Sequence, residues 1–322
     1  MKITTLVASV IASVAASLLA APASAQYPNR PIRIVVPFPA GSATDTISRI
    51  LGSSVSAAIG QPVVVDNKAG ADGMIAGAEV AKAAPDGYTL LMATNSPMSA
   101  GPAMKKAPPY DPIADFTPIT DIGRYTFFIV VNPGVPAKTL GEFIQHARSN
   151  PGKINYATGN TTGIVSSALF SSLAKINMVQ VPYKGEPQAM IDLVSGRVQM
   201  MFASSSTSVP LVRDGKLRAL VTTLPRRSPI LPDVPTIAEA GMPEFSIVSW
   251  AGLFAPAKLP RDVVDRLNKE FVAAMGRPDV QAAMDKQAFV LSPSTPEKLG
   301  AYVREQLEAY RNTLRIAGIQ PE

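Results

Sequence analysis

VVPFPAGSATDTISR, residues 35–49, runs from a β-branched strand pattern through Pro-Phe-Pro and Ala-Gly-Ser into a helical pattern. A strand that leads through a glycine turn to a helix N-terminus is a common way of holding an anion, because unpaired backbone N–H groups point outward there. The stretch therefore predicts an α/β fold and an anion-binding turn after the first strand.

The same alternation of short apolar strands and helical segments continues along the chain. Ile47, Leu51 and Val55 repeat at helical spacing after the first strand, and Gly60 stands where a helix often ends. We expect further strands at residues 61–67, 88–95, 126–134, 153–159, 177–183, 198–204 and 217–223. Alternating strands and helices predict an α/β sandwich with largely parallel sheets.

Four positions carry the capping pattern of a Ser or Thr followed three residues later by an acidic residue. They are Ser42 with Asp45, Thr139 with Glu142, Thr236 with Glu239, and Ser294 with Glu297. Each pair predicts the start of a helix.

Residues 1–25 have the features of a secretory signal peptide. Lys2 provides the positive start, an uncharged apolar segment follows, and Ala23 to Ala25 supply small residues for cleavage before Gln26. A membrane anchor is the alternative, but serines interrupt the segment and no basic flank follows it. The chain contains no cysteine, so a lipid-modified cysteine and disulfides are excluded. We expect a soluble protein that is free in the periplasm.

The charge pattern does not favour nucleic-acid binding. The net charge of the 322 residues is +6, and it falls to +5 without residues 1–25, where Lys2 is the only charged residue. The basic residues are scattered, whereas nucleic-acid binding favours a clustered basic face. We expect no nucleic-acid partner.

Four predicted strands end in similar polar clusters, namely PAGSATD (39–45), TNSPMS (94–99), TGNTTG (158–163) and SSSTS (204–208). The carboxyl ends of parallel strands share one side of a sheet, where ligands bind. Each cluster taken alone could simply cap a helix. Together, and without Lys, Arg or His, they predict a site that holds a carboxylate or another small oxyanion through N–H groups, hydroxyls and helix dipoles.

The residues needed for catalysis are sparse. His146 is the only histidine, and we expect it to face solvent, away from the apolar stripe that begins at Leu140. GNTTG at 159–163 resembles a nucleophile elbow, so a hydrolase using Thr161 or Thr162 is one alternative, although no base is evident. The chain has no metal-ligand spacing and no nucleotide-binding glycine motif. We expect a binding protein that is not an enzyme and uses no cofactor or metal.

Six collinear segments carry a family resemblance. They are YPNRPIRIVVPFPAGSATD, VVVDNKAGADGMIAGAEVAKAAPDGYTLL, VPYKGEPQAMIDLVSGRVQMMF, GKLRALVTT, LPDVPTIAEAGMPEF and WAGLFAPAKLP. Over the mature chain these segments resemble the Bug-type periplasmic receptors of tripartite tricarboxylate transporters. The resemblance implies a two-domain type II periplasmic-binding-protein fold, with a ligand cleft between the domains that closes around a small carboxylate. It also implies a monomer that delivers its ligand to a permease of two integral-membrane subunits.

The resemblance further implies the domain limits and the site. Domain I is expected at about 27–125 plus 250–322 and domain II at 126–249, with Trp250 packing at the second crossing. The ligand carboxylate is expected to meet the loop after the first strand, a helix N-terminus of the other domain, and ordered waters. The candidate residues are Phe38, Pro39, Ala40, Gly41 and Ser42; Thr158, Gly159, Asn160, Thr161 and Thr162 with Gly163; Thr94, Asn95 and Ser96; Ala203, Ser204 and Ser205; and Tyr183, which either reaches the cleft or packs at a strand end.

Two departures from the family pattern fall in the pocket loops. Ser42 stands where a second glycine is usual, and residues 163–166 replace a serine-and-histidine pattern. The ligand therefore stays open among amino acids, di- or tricarboxylates, aromatic acids and neutral compounds. A receptor that presents its bound form to a membrane sensor kinase is an alternative to the transport receptor, since both need the same pocket.

Overall fold

The structure, a computed structural model, describes residues 27–245 and 247–321. The predicted signal peptide, residues 1–25, lies outside the described residues. Within the described part of the chain, no helix has both the length and the apolar character that a membrane span requires.

The described residues form two β-sheets. The strands, in chain order, are β1 (Ile32–Val36), β2 (Val63–Asn67), β3 (Thr89–Thr94), β4 (Phe116–Tyr125), β5 (Phe127–Val131), β6 (Asn155–Thr158), β7 (Val179–Pro182), β8 (Met200–Ser204), β9 (Arg218–Thr222), β10 (Trp250–Pro256) and β11 (Phe289–Leu291). The first sheet has the order β11-β4-β10-β3-β1-β2 and the second the order β7-β6-β8-β5-β9.

Helices cover both sheets. They are α1 (Ala43–Ile59), α2 (Met74–Ala81), α3 (Leu140–Ser149), α4 (Thr161–Ala174), α5 (Glu186–Val194), α6 (Ser205–Arg213), α7 (Arg261–Met275), α8 (Pro278–Lys286) and α9 (Pro296–Ile316). Shorter helical turns lie at Ala71–Gly73, at Ser96–Ala100, where the turn is a π-helix, and at Gly101–Ala103. The mixed α/β class expected from the alternating pattern is confirmed.

The expectation of largely parallel sheets is wrong, because both sheets are mixed. β1 runs parallel to β2 and β3, and β6 runs parallel to β7 and β8. β10 is antiparallel to β3 and β4, and β5 is antiparallel to β8 and β9. β5 and β10 are the strands that the chain forms directly after it crosses between the sheets, so each enters its new sheet in the reverse direction.

The capping patterns predict two of the four helix starts. The Oγ of Ser42 accepts a hydrogen bond from the N–H of Asp45 at 3.3 Å, and Thr139 caps α3 in the same way. Thr236 and Glu239 bond each other reciprocally but close a turn instead of starting a helix. The Ser294 prediction is wrong by one residue, because Thr295 caps α9.

The C-terminal helix α9 packs against the cores of both sheets. Its first turns place Leu299 and Val303 in the same apolar cluster as Phe254 of β10. Its later turns place Leu307 and Leu314 in the cluster that surrounds the second sheet. α9 therefore ties the two halves of the molecule together along one side.

Gly123 is required where β4 pairs with both of its neighbours. Its φ is +152°, and a Cβ there would lie 2.1 Å from the carbonyl oxygen of Val290 in β11. Because the clash is with backbone, we expect Gly123→Ala to lower the free energy of unfolding by about 2–3 kcal/mol in urea titrations. Gly141→Ala is the control, since a Cβ at Gly141 in α3 meets no atom within 4 Å. Equal unfolding midpoints for the two variants would contradict this strand pairing.

Candidate ligand-binding site

A narrow cavity lies between the two sheets, where β1, β3, β4 and β6 end. Its volume is about 30 Å³, which leaves room for roughly two or three water molecules at ~10–15 Å³ each. The cleft is therefore closed in this structure. The lining residues are Phe38, Ser42, Ala43, Thr44, Thr94, Ser96, Tyr125, Phe127, Gly159, Asn160, Thr162, Gly185, Glu186 and Ser249.

Both loops that were expected to oppose each other contribute to this lining. The candidate residues that the structure places at the cavity are Phe38, Ser42, Thr94, Ser96, Gly159, Asn160 and Thr162. They come from the first loop, from the end of β3 and from the loop that enters α4. The structure thus brings together three of the four polar clusters identified in the sequence.

Three helix N-termini converge on the cavity. Ser42 caps α1, Asn160 caps α4 by accepting a hydrogen bond from the N–H of Gly163 at 2.8 Å, and Gly185 precedes α5. The N–H groups of a first helical turn have no partner within the helix, and the helix dipole is positive there. The lining contains no Lys, Arg or His. Neutral backbone groups therefore make the cavity suitable for a negative charge.

Two contacts cross the cleft and hold it closed. The hydroxyls of Ser96 and Thr162 lie 3.0 Å apart, and the N–H of Thr162 donates to the Ser96 Oγ at 3.2 Å. On the other side, a Cβ at Gly185 would lie 2.9 Å from the ring carbons of Pro39. Gly185 has an extended φ of 174°, so this glycine provides space and no special backbone conformation.

Hydrogen bonds to Asp45, near the start of α1, hold the first loop in place. The N–H of Gly41 donates to the carboxylate of Asp45, which also accepts hydrogen bonds from Arg49 and Asn67. Burial opposes the charged form of Asp45, but these hydrogen bonds outweigh it and lower the pKa of the carboxyl. The Gly41 N–H is therefore engaged within the loop. Pro39, Ala40 and Gly41 shape the loop without lining the cavity.

Three candidate residues point away from the cavity. The amide of Asn95 is fully used by backbone and tyrosine partners described below. The Oγ1 of Thr158 accepts a hydrogen bond from Gln180 at 3.0 Å. The hydroxyl of Tyr183 donates to Asp192 at 2.8 Å, and its ring packs against the apolar cluster that contains Ala203. Of the two alternatives for Tyr183, the structure shows packing at the strand end.

The fourth polar cluster also lies outside the cavity lining. Ala203 is buried in the core of the second sheet. Ser204 donates its hydroxyl to Glu186, and Ser205 donates to the carbonyl group at the end of α8. The fourth cluster therefore contacts residues around the cavity without lining it.

Thr161 belongs to the third cluster. It is buried, and its hydroxyl has no hydrogen-bond partner among the described residues.

The two side chains considered for other roles lie away from the cavity. Trp250 is fully buried and packs against Phe254 and Tyr302, with ring centroids 6.4 and 5.6 Å away. His146 is half-buried on α3, where its ring approaches Asn150, the residue that follows this helix. Neither residue lines the cavity.

Seven lining residues were not predicted from the sequence; two of them lie in the first polar cluster, and the other five carry no such signal. They are Ala43, Thr44, Tyr125, Phe127, Gly185, Glu186 and Ser249. Tyr125 and Phe127 flank the first crossing between the sheets, and Tyr125 donates its hydroxyl to Thr44 at 2.9 Å. Glu186 lies outside the clusters of Gly, Ser, Thr and Asn, although the segment that contains it carries the family resemblance.

The fold and the cleft define a two-domain periplasmic-binding-protein architecture. A sequence model described as the tripartite tricarboxylate transporter family receptor matches residues 47–315. The chain belongs to this family of periplasmic solute-binding receptors, which includes the Bug proteins.

Solved structures of relatives agree with this assignment. The periplasmic binding protein BugD is 32% identical, with a TM-score of 0.88 over 92% of this chain and 100% of BugD. An R. palustris protein solved with adipate is 31% identical, with the same TM-score and the same coverage of both chains. MatC from Rhodopseudomonas palustris, solved with bound malate, is 32% identical, with a TM-score of 0.85 over 89% of this chain and 100% of MatC.

The contact between Ser96 and Thr162 can be measured by a double-mutant cycle. We expect Ser96→Ala and Thr162→Val to couple by about 1 kcal/mol in the free energy of unfolding, because both variants remove the buried hydrogen bond between the two hydroxyls. Urea unfolding of the two single variants and the double variant gives the coupling. Ser96→Ala combined with Thr139→Val is the control and should be additive, since the two residues share no partner. A cycle without coupling would contradict the closed contact.

Proposed function

We propose that this chain is a periplasmic receptor that captures a small carboxylate between two domains and passes it to the permease of a tripartite tricarboxylate transporter. The observation that carries the proposal is the meeting of three helix N-termini at a cavity without cations. The positive ends of helix dipoles together with hydroxyls in a closed cleft suit a carboxylate group. The binding of adipate and of malate by related proteins supports the same ligand class.

The proposed domain limits are about 27–125 plus 250–322 for domain I and 126–249 for domain II. The strands of the first sheet fall in domain I and those of the second in domain II. Only Thr126 separates β4 from β5, whereas residues 223–249 connect β9 to β10. Two crossings of this kind suit a hinge that opens and closes the cleft.

Capture follows from this geometry. When the cleft opens, the Ser96–Thr162 and Pro39–Gly185 contacts separate, and the N-termini of α1 and α4 become accessible. A carboxylate bound to both helices joins the domains electrostatically and favours the closed state, because it interacts with both termini only there. No bond of the ligand is made or broken. We also propose export to the periplasm through residues 1–25, and release of the ligand to a membrane partner.

A thermal-shift screen of the refolded mature protein against small carboxylic acids and neutral controls tests this proposal. A ligand at ~100 times its dissociation constant adds ~2.7 kcal/mol of stability. We therefore expect at least one acid to raise the melting temperature by several degrees. If only neutral compounds raise it, carboxylate recognition is refuted.

Ser42→Leu tests the position of the site. The substitution places bulk in the cavity and removes the cap of α1, so we expect the affinity for the acid found in the screen to fall at least tenfold, about 1.4 kcal/mol. Thr139→Leu is the matched control, because Thr139 caps α3 with the same type of hydrogen bond and does not line the cavity. Titration calorimetry with both variants provides the measurement, and equal affinities would place the site elsewhere.

A further inference from the structure

Glu186 places a carboxylate in the cavity that is proposed to receive one. It is the first residue of α5, it lines the cavity, and it is 7% exposed. It is the only Asp or Glu among the lining residues, and the lining contains no Lys, Arg or His. A ligand with only carboxylate groups would therefore approach a buried acid that has no neutralising partner.

The hydrogen bonds to Glu186 favour its charged form. Its Oε2 accepts hydrogen bonds from the N–H of Ser204 at 3.3 Å, from the hydroxyl of Thr207 at 2.8 Å, and from the hydroxyl of Ser204. A backbone N–H can only donate, and the N-terminus of α5 also favours negative charge. Burial raises the pKa of the Glu186 carboxyl, and the hydrogen bonds from Ser204 and Thr207 offset that rise only in part.

The second oxygen of Glu186 is unused by the protein. All three hydrogen bonds go to Oε2, and no residue in the described ranges donates to Oε1. No cation of the described chain acts on this carboxyl either. A ligand that covers this oxygen without donating to it would shield it from water and leave it unpaired, which is costly, so such a complex is disfavoured. The missing partner is a hydrogen-bond donor, ideally a positive one.

We propose, on the basis of the function proposed above, that the ligand is an amino-substituted carboxylate whose ammonium group pairs with Glu186. The N-termini of α1 and α4 hold the ligand carboxylate, and Oε1 of Glu186 accepts from the ligand nitrogen. The two ends of the ligand are then distinguished by charge. Helix N-termini receive the anion, and the only acid of the lining receives the cation.

Matched acids that differ only in the amino group test this assignment. The probes are aspartate with succinate, glutamate with glutarate, and β-alanine with propionate, titrated calorimetrically into the refolded mature protein. For at least one pair we expect the wild-type chain to bind the amino member at least tenfold more tightly. Glu186→Gln keeps a carbonyl oxygen for the Ser204 and Thr207 donors, and it should lower the affinity for that amino member at least tenfold. Its affinity for the unsubstituted member should stay equal or rise.

Glu244→Gln is the charge control, because Glu244 is an exposed residue outside the cavity lining, and it should keep the wild-type preference. The assignment is overturned if acids bind the wild-type chain but in none of the three pairs does the amino member bind more tightly, or if Glu186→Gln leaves the ratio of the preferred pair unchanged. Failure of the proposed receptor function looks different, since then no acid of either type binds to the wild-type chain or to the variants. Far-ultraviolet circular dichroism verifies that Glu186→Gln is folded.

Discussion

The geometry of the cleft depends on one buried side-chain amide, that of Asn95. Its Nδ2 donates to the carbonyl of Val248 and to the hydroxyl of Tyr310, both at 2.9 Å. Its Oδ1 accepts from the N–H of Trp250 at 2.8 Å and from the hydroxyl of Ser249. The end of β3, the second crossing and α9 are thus joined at one point. Each such bond contributes about 1 kcal/mol net, but leaving any of these buried groups unpaired costs more, so the arrangement has few alternatives.

In the function proposed above, this fixed frame allows the cavity to hold an anion without a cationic side chain. A lysine or arginine in a closed cleft would need a partner whenever no ligand is bound, since an isolated buried charge is strongly disfavoured. Backbone N–H groups at the starts of α1 and α4 carry only partial charges and avoid that cost. Glu186 is the exception, and its hydrogen bonds to Ser204 and Thr207 account for only one of its two oxygens.

Local sequence signals account for the parts of the site that belong to single loops. Ser42 and Asn160 cap helices directly after strands, so the order of strand, polar turn and helix is enough to locate them. Tyr125 and Ser249 reach the cavity only because the chain crosses between the sheets beside them. No local pattern marks such a crossing, and the reversed direction of β10 was missed for the same reason.

Two adjacent residues of one polar cluster show why composition alone could not distinguish residues that line the cavity from residues that only stabilise the fold. Asn95 and Ser96 follow β3 in sequence and are both buried. Asn95 turns toward the crossing and α9, whereas Ser96 faces the cavity and meets Thr162 across it. The helical turn that begins at Ser96 directs the two side chains to different partners. Because one short turn holds both the frame and the closing contact, Asn95 connects Tyr310 of α9 directly to the turn that carries Ser96.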